Sequence, residues 1–154
     1  MAELINGKLY MSPAPTTEHQ RIIRGLSFAI FDFAKTRNLG EVFFAPYDVF
    51  LDEHSNAVQP DIVFVSNQNK SIIKADAIHG TPDLVIEILS PGNPKHDLVR
   101  KKDLYQKFGV KEYWVVNPES RESTGFLLNQ GEYGSVESFS GKINCQLLNK
   151  EFSF

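Results

Sequence analysis

The segment Pro82-Asp83-Leu84-Val85-Ile86-Glu87-Ile88-Leu89-Ser90 constrains this chain more than any other. A short Val/Ile/Leu run between turn formers reads as a central strand covered on both faces, because a strand with one wet face alternates polar and apolar residues. Glu87 sets a carboxylate in the middle of that run, with no route to water. Burying an ionised carboxylate without a partner is costly, so the fold must bring Glu87 a cation, a metal or a proton. The plainer alternative is a strand-end glutamate paired with a surface lysine.

Two other charged residues meet the need of Glu87. After the break at Pro91-Gly92-Asn93-Pro94, residues 95–108 have helical periodicity, and Gly109 supplies the C-cap. At about 100° per residue, Asp97, Leu98, Leu104, Tyr105 and Phe108 lie within about 60° of Lys101 on that helix. Lys101 is therefore centred on the apolar face, while Arg100, Lys102 and Lys107 turn to solvent. The helix follows the Glu87 strand directly, so the two charges are expected to meet at the strand's end, either as a working pair or as a structural salt bridge. Asp61 is the third member: in Gln59-Pro60-Asp61-Ile62-Val63-Phe64-Val65-Ser66 it opens a second β-rich run. It joins the other two if strands 60–66 and 83–89 are neighbours. Converging carboxylates repel unless a cation separates them, and hard oxygen ligands suit Mg²⁺ or Mn²⁺.

The remaining segments frame this group. Asn6-Gly7 between two short apolar runs is a strong hairpin signal. Thr17 and Gln20 have capping-box spacing for a helix over 18–35, whose apolar face carries Ile22, Ile23, Leu26, Ala29, Ile30 and Phe33. His19 falls on the same face, where a satisfied core histidine is the ordinary reading. Residues 41–51 read as a strand kinked at Pro46, hence near an edge. Residues 67–81 form an irregular connection, and 112–117 form another buried strand. Beyond Gly125, short β runs separated by turns add to the sheet in antiparallel fashion. This order of elements predicts an α/β (α+β) mixed sheet flanked by helices, with hairpins added at both ends, as a single domain over 1–154.

Composition narrows the setting. The lone Cys145 excludes an internal disulfide, no apolar run approaches membrane-spanning length, and the N-terminus has no leader pattern. A reduced, cytoplasmic location away from membranes is the expectation. A net charge of −3 argues against a wholly basic nucleic-acid coat. Residues 95–111 nevertheless hold six Lys/Arg against two Asp, a local surplus of four that could meet phosphates.

In combination, Pro60-Asp61, Glu87 within 83–91, Asp97-Leu98 through Lys101 to Tyr105, and Gly109-Val110-Lys111-Glu112-Tyr113-Trp114-Val115-Val116 resemble the Uma family of restriction-endonuclease-like proteins. That family belongs to the PD-(D/E)XK nuclease superfamily. The early Asn-Gly hairpin and the Glu18-His19 helix match its pattern too, so the resemblance covers most of the chain. It implies a restriction-endonuclease-like mixed sheet and metal ligation by Asp61, Glu87 and the backbone carbonyl of Ile88. The superfamily's lysine should stand two residues after the glutamate, where this chain has Leu89. Lys101 on the following helix matches the position to which the family's lysine has moved. The activity implied is Mg²⁺- or Mn²⁺-dependent hydrolysis of DNA by Asp61, Glu87 and Lys101, with His19 and Glu18 as accessory candidates. A homodimer would suit cutting of two strands. The alternative is a silent nucleic-acid- or protein-binding module that keeps the fold. There is no helix-turn-helix or finger motif to read bases, so any sequence preference must come from loops or a partner.

Overall fold

The computed structural model describes residues 1–91, 94–135 and 138–154, and only the backbone of 94–97. Its elements, in chain order, are β1 (Ala2–Ile5), β2 (Lys8–Met11), α1 (Thr17–Thr36), β3 (Gly40–Phe44), β4 (Val49–Phe50), β5 (Ala57–Val58), β6 (Ile62–Ser66), a 3-10 helix (Asn67–Ile72), β7 (Ile78–His79), β8 (Leu84–Ile88), α2 (Pro94–Phe108), β9 (Glu112–Val116), β10 (Glu122–Asn129), β11 (Glu132–Ser135), β12 (Phe139–Ser140), β13 (Lys142–Cys145) and β14 (Lys150–Ser153). The sequence-predicted break at 91–94 falls partly on Gly92 and Asn93, and the predicted place of Asp97 on the apolar face of α2 concerns its side chain. Both lie outside the described residues.

The central sheet runs β11-β10-β9-β8-β6-β3, with β12 beside β10. Among the described residues, β8 and β9 are its one parallel pair, joined across α2. Every residue of β8 and β9 is buried, as a run without polar alternation demands. A second sheet, β2-β1-β5-β4-β7, joins the N-terminal hairpin to the short strands β4, β5 and β7, and β13-β14 form a separate pair. The hairpin turn has Asn6 at φ 50° and Gly7 at φ 72°, the left-handed pair that an Asn-Gly hairpin turn requires.

Strand alternation sorts the core onto the two faces of the central sheet. Leu84, Ile86 and Ile88 pack with Ile22, Leu26 and Ile30 of α1, while Val85 packs with Val63, Leu104 and Tyr105 on the other side. Burying each such side chain contributes roughly 1.5–3 kcal/mol, and truncating the fully buried Leu26 to Ala costs roughly 2–5 kcal/mol.

Three expectations are refined. The N-cap of α1 is Thr16, not Thr17; its side chain accepts the His19 N–H, so the capping-box pairing does not form. Residues 41–51 are not one kinked strand: β3 is an edge of the central sheet, and β4 belongs to the N-terminal sheet. The connection over 67–81 contains the 3-10 helix and β7. Among the described residues, no helix is long and apolar enough to cross a membrane.

Candidate active site

β6 and β8 are antiparallel neighbours, with Ile62 opposite Ile86. One step further along that register stand Asp61, just before β6, and Glu87 of β8. Asp61 Oδ2 accepts the N–H of Ile88 at 2.7 Å, satisfying a backbone donor past the last strand pair. His19, on the first turn of α1, reaches the same place: its Nε2 donates to the Ile88 carbonyl at 3.0 Å and lies 3.3 Å from Asp61 Oδ2. Because a carbonyl can only accept, Nε2 carries the proton, and Nδ1 is buried with no partner among the described residues. Burial is the largest influence on His19 and lowers its pKa. The hydrogen bond and charge of Asp61, with help from the Ile88 carbonyl and Glu87, outweigh it and hold His19 above its ordinary value.

Glu87 is 7% exposed, and its Oε1 receives two donors from α2: Lys101 Nζ at 2.9 Å and the Tyr105 hydroxyl at 2.6 Å. Burial raises its pKa to about 7; the charges of Asp61 and Glu3 push the same way, while Lys101 and Tyr105 oppose. Lys101 is pulled the other way by burial, but Glu87 and Glu3 outweigh this and hold it charged, above its ordinary value. The short contact with Lys101 favours the charged form of Glu87, whereas burial and the neighbouring carboxyl groups of Asp61 and Glu3 favour a proton on it.

Glu3 is the residue that sequence reading missed. It lies on β1, is 3% exposed, and accepts Lys101 Nζ at 3.0 Å and the Gln59 N–H at 2.9 Å. Its only signal was alternation with Ile5, which also points inward. These groups line a cleft of about 590 Å³ together with Tyr10 and Arg100.

Asp61, Glu87, Lys101 and His19 thus converge, as does the Ile88 carbonyl. Glu18 does not: its carboxylate is taken by Arg21 at 3.2 Å and Arg121 at 3.1 Å. The expectation that Arg100 and Lys102 face solvent is also corrected, since Arg100 stacks on Tyr10 at 3.9 Å and Lys102 lies over Phe126 at 4.8 Å. The basic surplus is partly consumed as well. Lys101 is held by Glu87 and Glu3, and Lys111 Nζ is 2.6 Å from Asp83 Oδ1.

A family model described as "Uma2: Putative restriction endonuclease" matches residues 1–152. The chain belongs to the Uma2 family. A crystal structure from Anabaena variabilis ATCC 29413, described as a "putative nuclease belonging to DUF820", matches with a TM-score of 0.73 at 21% identity, over 87% of this chain and 75% of that one. This Uma2 chain therefore has the restriction-endonuclease-like fold. Among proteins of curated function, none matches it.

Asp61, Glu87 and Ile88 offer this Uma2 site two carboxylates and one carbonyl, oxygen donors of the hard kind that Mg²⁺ prefers. Among the described residues, no three His, Cys, Asp or Glu side chains form a ready metal cluster. Mg²⁺ commonly uses one or two carboxylates and keeps several waters, so the donor set fits. The mutual repulsion of Asp61 and Glu87, which contributes to the raised pKa of Glu87, is what a shared cation would relieve.

Proposed function

We propose that this Uma2 protein is a divalent-metal-dependent endonuclease that hydrolyses phosphodiester bonds of DNA. The observation that carries the reading is the largely buried side chain of Lys101, 14% exposed, whose ammonium lies 2.9 Å from Glu87 in an open cleft that Asp61 also lines. Asp61, Glu87 and the Ile88 carbonyl would hold Mg²⁺ or Mn²⁺. When bound there, such an ion supplies Lewis acidity toward a phosphoryl oxygen and lowers the pKa of water.

The chain's own residues supply the rest. Lys101 presents a fixed positive charge where negative charge develops during attack at phosphorus, a preorganised contact that needs no rearrangement at the moment of reaction. Tyr105 holds Glu87 in one orientation through its hydroxyl. His19 fixes Asp61 and the Ile88 carbonyl together, the part that hydrogen-bonded partners of metal ligands play. Lys101 replaces the strand lysine missing at Leu89, reaching Glu87 from α2.

The test is cleavage of supercoiled plasmid with Mg²⁺ or Mn²⁺, beside Asp61→Asn, which retains an acceptor for the Ile88 N–H. The expected result is metal-dependent nicking by the wild type and none by the variant. Nicking by Asp61→Asn at the wild-type rate would remove Asp61 from the site. DNA binding without any cleavage under either metal would favour the silent binding module.

A further inference from the structure

We propose that Glu3 is a positioning residue for Lys101, so that the N-terminal hairpin completes the active site. Its catalytic consequence rests on the nuclease reading above; its structural content does not.

A lysine ammonium sits on a flexible four-carbon stem and is poorly preorganised by itself. Glu87 fixes the distance of Nζ from one oxygen but leaves the ammonium free to swing around it. Glu3, on a different sheet, supplies a second acceptor at 3.0 Å and removes that freedom. Glu3 is in turn anchored by the Gln59 N–H at 2.9 Å, on the segment that leads through Pro60 into Asp61. The anchor of the ammonium and the carboxylate of Asp61 are thereby tied to one short stretch of backbone. A lysine standing on the β8 strand itself would inherit the rigidity of the sheet. Lys101, on α2, needs a second tether instead, and the chain places one there. The competing account is that the Glu3–Lys101 pair only staples the hairpin to α2. That structural job is already shared by Arg100 stacked on Tyr10 at 3.9 Å.

Two variants separate the accounts. Glu3→Gln keeps the size and an acceptor for the Gln59 N–H but removes the charge that makes the bond to an ammonium strong. Glu3→Asp keeps the charge but is one methylene short. Lysine side-chain ¹H–¹⁵N spectra of the full chain, recorded without metal, read the tether directly, with the Lys101 signal assigned by its disappearance in Lys101→Met. The wild type should show a Lys101 ammonium resonance protected from solvent exchange. In both Glu3 variants that resonance should broaden or vanish while a cooperative thermal unfolding transition shows that the chain is still folded. Single-turnover plasmid cleavage should fall about tenfold, the scale of a lost orienting contact, with DNA affinity unaltered.

An unprotected Lys101 ammonium in the wild type, or an unchanged resonance in both variants, overturns the proposal. So does a lost resonance with wild-type cleavage, which would leave Glu3 a staple only. If the wild type cuts no DNA, the nuclease reading fails, and the spectra still decide whether Glu3 holds Lys101.

Discussion

Replacing Lys101 by Met tests the charge balance of the cluster without any substrate. The aliphatic stem remains to pack near Leu98 and Leu104, but Glu87 and Glu3 lose the ammonium that bridges them. Removing one partner of a buried pair costs roughly 3–5 kcal/mol when the other stays charged. Glu87 can escape that cost by holding a proton. Its pKa, 4.5 unperturbed, is about 7 in the folded wild type, so the stability its proton confers is present in acid and lost as pH rises through about 7. Without Lys101, the folded-state pKa of Glu87 climbs further. Above about pH 7 the variant then keeps a proton that the folded wild type has released. Its stability relative to wild type therefore falls by about 1.4 kcal/mol per pH unit. Urea unfolding at about pH 6 and about pH 8.5 should show a cost of Lys101→Met larger by about 2 kcal/mol at the higher pH. Adding Glu87→Gln should abolish the pH-dependent part. An equal cost at both pH values, within about 0.5 kcal/mol, would refute the picture of Glu87 as the group that Lys101 keeps ionised.

Other outcomes follow from the same geometry. Lys101→Met should slow single-turnover cleavage by roughly two orders of magnitude, whereas Lys102→Met, which lies over Phe126, should leave that rate nearly unchanged at saturating DNA. Asp61→Asn and Glu87→Gln should each remove calorimetrically detectable Mn²⁺ binding; retention of wild-type affinity in either would exclude that carboxylate as a ligand. Gly125→Ala should destabilise the protein by roughly 1–3 kcal/mol in thermal or urea unfolding, because an added Cβ would stand 2.6 Å from the Trp114 ring. A neutral effect there would mean that β10 can shift away from Trp114.

Glu87, Lys101 and Asp61 were legible because each breaks a local rule: a charge inside an apolar strand, a charge on an apolar helix face, and an acid opening a buried run. Those violations are visible within a few residues of sequence. Glu3 was not legible, since β1 spans only Ala2–Ile5 and so short an alternation does not distinguish an inward glutamate from an ordinary turn-flanking one. The partition of 41–51 into two sheets depends on pairings such as Leu4 with Ala57, which no local pattern encodes. Arg100 and Lys102 looked solvent-facing because helical phase says nothing about Tyr10 and Phe126, the aromatic rings that other strands bring alongside. Glu18 shares the helix start with His19, yet Arg121 claims it from across the fold.

The contact between Lys101 and Glu3 spans 98 residues of chain, and that between His19 and Ile88 spans 69. Helices and the Asn6-Gly7 hairpin can form locally and fast, but contacts of this span must wait for large loops to close. The loop-closure cost predicts that the cluster assembles late in folding, when the sheet that carries Glu3 docks onto α2. A chain whose N-terminal sheet has come away carries all the charged groups of the cleft, but not the arrangement that joins them.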